Sequence, residues 1–173
     1  MPKKIGLFYG SSTCYTEIAA EKIRDNFGKA LVDVHNIAES PVIFMENYDL
    51  LILGIPTWDY GELQEDWENC WEAMDALNLT GVTVALYGLG DQEGYPEWFQ
   101  DALGFLWAKI VNLGATTVGL WPTVGYTFKE SKALTENGDH FYGLALDDEN
   151  AFDLSDDRIA RWCNQLRKEF GLQ

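Results

Sequence analysis

Short apolar runs alternate along the chain with longer stretches in which apolar residues recur every three or four positions. The short runs lie near Lys4–Tyr9, Ala30–Asn36, Leu50–Gly54, Val82–Gly88 and Thr116–Leu120. Apolar on both faces and bounded by turn residues, they predict strands of a buried parallel sheet. Between them, Leu63, Trp67, Cys70, Met74 and Leu77 predict one amphipathic helix. Phe99, Leu103, Leu106, Ile110 and Leu113 predict another, stopped by Gly114. An earlier helix carries Ile18, Ala19, Ala20, Ile23 and Phe27. A last one reads from Ser155 as N-cap, with Asp156 and Asp157 in its first turn and Ile159, Trp162, Leu166 and Phe170 buried. The stretch 121–140, with Pro122, Gly125 and Gly138, breaks the rhythm before Phe141–Leu146 resumes a strand pattern. It reads as an insertion in the last strand. The alternation predicts one α/β domain over residues 1–173, a doubly wound three-layer sandwich.

In such a sheet ligands bind outside the carboxyl ends of the strands. Three strand ends are therefore candidate loops: Gly10–Thr16, Ile55–Leu63 and Leu89–Tyr95. The first holds four hydroxyl residues, Ser11, Ser12, Thr13 and Thr16, between a strand and a helix start. Such residues cap helices. Four in six positions point further, to a phosphate held by hydroxyls and free helix N–H groups without any cation. The loop lacks the Lys of a nucleotide-triphosphate loop and the glycine spacing of a dinucleotide fingerprint. The other loops each bring an aromatic residue, Trp58 and Tyr95, to the same end of the sheet. Two such rings could sandwich a flat heteroaromatic group, with Asp91 and Gln92 at its polar edge. Gln64, just past the second loop, is expected to be a bystander.

Composition narrows the partners. The formal net charge is −16. Nucleic acid and anionic membranes suit such a surface poorly; basic proteins suit it well. Trp58–Asp75 carries seven acids and Glu136–Asp157 eight, with no Lys or Arg in either stretch. No apolar run approaches the ~20 residues of a membrane span. Met1-Pro2-Lys3-Lys4 reads as a lead-in to a strand and not as a signal peptide. Three widely spaced cysteines, Cys14, Cys70 and Cys163, and two histidines argue against disulfides or a metal site and for a reducing cytoplasm.

The pieces taken together resemble the long-chain flavodoxins over nearly the whole chain. The resemblance rests on Gly10-Ser11-Ser12-Thr13, on Ile55-Pro56-Thr57-Trp58-Asp59-Tyr60-Gly61-Glu62-Leu63-Gln64-Glu65-Asp66-Trp67, on Gly88-Leu89-Gly90-Asp91-Gln92-Glu93-Gly94-Tyr95 and on Gly143-Leu144-Ala145-Leu146-Asp147. It is strongest toward the second flavodoxin type of enteric-like bacteria, which shares Ser-Ser-Thr-Cys-Tyr-Thr. The resemblance implies a five-stranded parallel sheet of order 2-1-3-4-5, the known arrangement of that family, with the last strand interrupted by an insertion. It implies bound FMN. The phosphate would sit on Ser11, Ser12, Thr13, Cys14, Tyr15 and Thr16, with Trp58 on the inner ring face and Tyr95 on the outer. Pro56, Thr57, Asp59, Tyr60, Gly61, Gly90, Asp91 and Gln92 would line the ring or its edge, and Asp147 would lie near the ribityl chain. It also implies a monomer that carries electrons from a NAD(P)H-flavodoxin reductase to acceptor proteins, with no catalytic residues of its own.

Two positions depart from the family pattern. Cys14 stands where Gly is usual, so it must avoid positive φ or accept strain. Asp59 stands in the loop beside flavin N5 where Gly or Asn is frequent, which makes a peptide flip there harder. Two other functions are open to this fold. An FMN-dependent quinone or NAD(P)H reductase is disfavoured by the acidic surface and the Tyr95 lid. A receiver-type signalling domain needs an acidic pair after the first strand, where this chain has Tyr9-Gly10.

Overall fold

The computed structural model describes residues 3–172; Met1, Pro2 and Gln173 lie outside it, and with them part of the Met1–Lys4 lead-in. Five regions of the sheet form where the apolar runs predict. β1 (Ile5–Tyr9) is buried along its whole length and pairs in parallel with β2 (Val32–Asn36) and β3 (Leu50–Trp58). β3 pairs in parallel with β5 (Thr83–Leu89). The fifth position is filled twice on the same neighbour. β6 (Thr116–Val118) pairs with the start of β5 and β9 (Leu144–Leu146) with its end, both parallel. The parallel order is thus 2-1-3 followed by β5 and the β6/β9 pair, the expected topology with its last strand interrupted.

Helix α1 (Tyr15–Phe27) buries Ala19, Ala20, Ile23 and Phe27, and α4 (Phe152–Glu169) buries Ile159, Trp162, Cys163 and Leu166; the two pack against each other. α3 (Asp101–Asn112) packs on β3 and β5 through Ala102, Leu103, Leu106 and Ile110. Two helix predictions need correction. The 63–77 stripe is not one helix: α2 covers only Glu65–Cys70, and Ala73–Ala76 is a 3-10 turn. The Trp71 carbonyl, which a continuing helix would give to Asp75 N, is taken by Lys109 Nζ at 3.0 Å, and Asp75 N bonds Glu72 O instead. Ser155 is not an N-cap either. The helix begins three residues earlier, after Ala151, and the buried Ser155 hydroxyl donates to Asp148.

The insertion is built and not loose. β7 (Trp121–Pro122) and β8 (His140–Phe141) form an antiparallel pair. Tyr126, Phe128 and Phe141 gather around Phe99, and Trp107 stacks on Tyr142 at 3.7 Å between centroids. The sequence places this segment off the ligand loops; the structure ties it to the third one. Gln92 Oε1 accepts from Thr127 N at 2.7 Å, and Pro96 O accepts from Lys129 N and Glu130 N. A backbone running over a sheet end must satisfy its N–H groups, and the neighbouring loop supplies the acceptors.

The central strand contains one enforced gap. A Cβ on Gly54 would lie 2.1 Å from Tyr87 Cζ. Tyr87, from the adjacent strand, is fully buried and crosses that space to donate its hydroxyl to Thr16 O at 2.9 Å. Gly54→Ala must displace Tyr87, and overpacking of this kind costs about 1–3 kcal/mol. Tyr87→Phe loses only the bond to Thr16 and is expected to cost about 1 kcal/mol. Urea unfolding of the two variants checks both the size and the order of these losses.

Candidate functional site

β1 ends at Tyr9, and the chain passes through Gly10–Cys14 into α1. None of the hydroxyls caps this helix: the N-cap is Cys14, with no side-chain cap bond. The first amide of this turn to find a backbone partner is Ile18 N, which donates to Cys14 O. The helix therefore presents its free N–H groups to whatever lies above it. Ser11 Oγ and Thr16 Oγ1 are buried and have no hydrogen-bond partner. Buried hydroxyls normally find one, so two orphans beside a helix N-terminus fit an anion in the loop. Simple capping is excluded. Cys14 has φ of 70°, so it takes the strained alternative and adopts the left-handed conformation in which glycine is usual.

The second candidate loop is shorter than the sequence suggests. β3 runs on to Trp58, because Thr57 and Trp58 pair antiparallel with Leu63 and Glu62 of β4 (Glu62–Leu63). The turn is only Asp59-Tyr60-Gly61. Asp59 at φ 43° and Gly61 at φ 85° both take left-handed backbone, as three-residue hairpin loops commonly require at one position. The third loop is held by Asp91, whose Oδ1 accepts from Glu93 N, Gly94 N and Asn150 Nδ2.

The three loops enclose a cavity of about 250 Å³. Of the sequence-predicted site residues, Thr13, Tyr15, Pro56, Thr57, Trp58, Asp59, Gly90, Asp91 and Tyr95 line it. Ser11, Ser12, Cys14 and Thr16 form the adjoining helix-start loop. Four positions stand outside the cavity. Tyr60 is exposed and packs edge-on against Tyr95 and Trp98. Gly61 belongs to the hairpin turn. Gln92 is buried with its amide oxygen on Thr127 N. Asp147 is wholly buried and accepts from Gln92 N, Asn150 N and Asn150 Nδ2. The last two organise the loops and do not face the space between them.

Sequence reasoning missed Leu89, Asp148 and Glu149 as cavity residues. The last two follow β9, and a loop after that strand end obeys the same rule as the others; the interruption of the strand hid it. Burial, foremost, holds the Asp148 carboxyl above its ordinary range, against the Ser155 bond and Lys22, which lower it. The charge of Asp59 is the main cause raising the Tyr95 hydroxyl. Four carboxylates, Asp59, Asp91, Asp148 and Glu149, and no Lys or Arg stand among the lining residues. Such a site can hold a flat ring between Trp58 and Tyr95 and an anion on the α1 loop. Among the described residues no group of His, Cys, Asp and Glu is arranged to hold a metal ion.

A family model described as Flavodoxin matches residues 7–162. The chain is 59% identical over 165 residues to Flavodoxin 2 of Escherichia coli (strain K12), covering 95% of each chain. It is 52% identical over 172 residues to Flavodoxin of Nostoc sp. (strain PCC 7120), covering 99% of this chain and 100% of that one. Among solved structures, Fusobacterium nucleatum flavodoxin bound to flavin mononucleotide superposes with a TM-score of 0.90 at 34% identity, over 97% of this chain and 99% of that one.

The left-handed Cys14 gives a direct test of the strain. A non-glycine residue there costs on the order of 1–3 kcal/mol, partly offset by the extra unfolded-state entropy of glycine. Cys14→Gly is expected to raise stability by roughly 0.5–1 kcal/mol. The urea midpoint of the flavin-free protein is the measurement; a lower midpoint would show that the thiol contributes more than the backbone loses.

Proposed function

Because the chain belongs to the flavodoxin family and is an FMN-bound electron carrier, not an enzyme, we propose that its ligand sits in the cavity of the three loops in one orientation. The phosphate takes the Ser11–Thr16 loop, and the ring lies between Trp58 and Tyr95. The observation that carries this reading is the pair of buried, partnerless hydroxyls, Ser11 Oγ and Thr16 Oγ1, at the start of α1. FMN supplies reversible one-electron chemistry when bound.

The chain's own residues do the rest. Free N–H groups of the first turn of α1 and the hydroxyls beside them hold the phosphate without a cation. Trp58 and Tyr95 orient the ring and keep water from its faces. The four lining carboxylates oppose any added negative charge on the ring, which favours a low potential. Asp147, Asp91, Gln92 and Asn150 fix the two loops that shape the ring pocket.

Partners follow from the charge. We propose that a basic NAD(P)H-dependent reductase delivers the electrons and that basic acceptor proteins take them, with no role for nucleic acid or a membrane. Among the described residues no helix is long and apolar enough to cross a membrane. Cys14, Cys70 and Cys163 are all free, which suits work in the reducing cytoplasm.

The visible spectrum of the purified protein, with chromatography of the flavin released by acid, tests the ligand: FMN is expected, one per chain, and FAD or no flavin overturns the reading. Trp58→Ala is expected to weaken FMN by a factor of at least about 2–13, from the ~0.5–1.5 kcal/mol that one stacked ring pair contributes beyond its area burial, read by fluorescence titration of apoprotein.

The docking claim has a separate test. Salt shortens electrostatic steering to ~8 Å at physiological ionic strength. Second-order reduction by a flavodoxin reductase should therefore slow as salt rises, and neutralising Glu62, Glu65 and Asp66 together should slow it at low salt. A rate indifferent to both refutes a basic docking partner.

A further inference from the structure

Gln64 is buried beside the Ser11–Thr16 loop. Only 1% of it is exposed. The sequence makes it a bystander; the structure makes it a bridge. As N-cap of α2 it accepts from Trp67 N at 3.3 Å through Oε1. That bond fixes which end of the amide is which. Nε2 then faces the other way and donates to Ser12 Oγ at 3.0 Å and to Asp66 Oδ2 at 2.9 Å. Both amide protons are thereby used. Room for this arrangement exists because residue 10 is glycine: a Cβ there would lie 2.5 Å from Gln64 Oε1 and 2.9 Å from Trp67 Cδ1.

The bond to Ser12 has a chemical direction. A serine hydroxyl offers one proton and two lone pairs. Gln64 occupies a lone pair from the protein side. The proton is left for the other side, and Ser12 is exposed there. A hydroxyl held in this way keeps its proton free for a ligand on the loop, and to a phosphate, which offers only acceptors, it donates. In a site with no Lys or Arg, each neutral donor carries a larger share of the hold on an anion. We propose that Gln64 is a positioning residue that sets the Ser12 hydroxyl as a phosphate donor and so makes the chain select phosphorylated over unphosphorylated flavin. This inference rests on the placement of FMN given above.

Gln64→Glu separates the roles. It keeps an oxygen for Trp67 N and replaces the donor with an acceptor, so the Ser12 proton turns inward. Apoprotein is titrated with FMN and with riboflavin, which shares the ring and lacks the phosphate. FMN affinity is expected to fall about tenfold or more, the size of one hydrogen bond to a charged group. Riboflavin affinity should stay within about twofold of the wild type. In a Ser12→Ala background, adding Gln64→Glu should change FMN affinity by less than about threefold. Equal losses for FMN and riboflavin overturn the proposal, as does a full FMN loss that persists without the Ser12 hydroxyl, which marks plain charge repulsion. If Gln64→Glu does not fold, Gln64→Met replaces it in the same cycle. It releases the Ser12 hydroxyl without reversing it, so FMN affinity is expected to fall by a smaller factor of about 3–10. Riboflavin affinity should stay within about twofold, and the FMN loss should vanish in the Ser12→Ala background. Equal losses for both flavins again overturn the proposal. Wild-type apoprotein that binds riboflavin and FMN equally well overturns the phosphate assignment itself, before any variant is compared.

Discussion

A missing side chain at Gly54 holds the ligand end of the sheet together. Its carbonyl accepts from Gly10 N, at the start of the turn into α1, and from Trp67 Nε1, in the helix after the second loop. The space above its Cα is filled by Tyr87, which reaches Thr16 at the first turn of α1 and meets Trp162 of α4 edge-on. β1, β3, β5, α1, α2 and α4 are thus referred to one residue of the central strand. The loops that shape the cavity inherit their positions from this junction, and rigid support of that kind is what a preformed site requires.

Strain is gathered at the same end of the molecule. Among the described residues three non-glycine positions take positive φ: Cys14, Asp59 and Gln100. Cys14 and Asp59 lie in the first two ligand loops. Gln100 follows the third, wholly buried, where its Nε2 ties Gly88 O to Leu146 O and its Oε1 has no partner. Left-handed backbone and orphaned polar atoms both cost stability, and the rest of the fold must hold them in place. The core pays for an end of the sheet where polar groups stay buried and unpaired. Asp59 and Asp91 in these loops, with Asp148 and Glu149 after β9, give the cavity only negative side chains, so its positive field comes from local dipoles and not from net charge.

The parallel sheet, the interrupted last strand and the three loops that meet at one cavity were legible because each depends on local pattern: buried runs, turn residues, and the shared end of parallel strands. The hydroxyl run was legible as the turn from a first strand into a first helix for the same reason. What the sequence hid was every feature set by tertiary partners. The 63–77 stripe has helical periodicity, yet Lys109 from a distant helix takes the carbonyl that would continue it. Ser155 has the chemistry of an N-cap and is instead drawn to a buried carboxyl seven residues earlier. Gln92 and Asp147 look like ligand groups and are consumed in fastening loops to each other. Gln64 looks like surface and is buried, because glycine at a position 54 residues away leaves room for it.

The split of the last strand also bears on how the sheet ends. An unbroken edge strand beside β5 would expose a row of unpaired N–H and C=O groups, the usual template for pairing with another molecule. Here that row is cut into β6 and β9, three residues each. An outer group of β9 is also occupied from within: Tyr126 donates to Ala145 O at 2.5 Å. The insertion thereby acts as a guard on the sheet margin. At this margin a second copy finds no continuous register along which to add a strand.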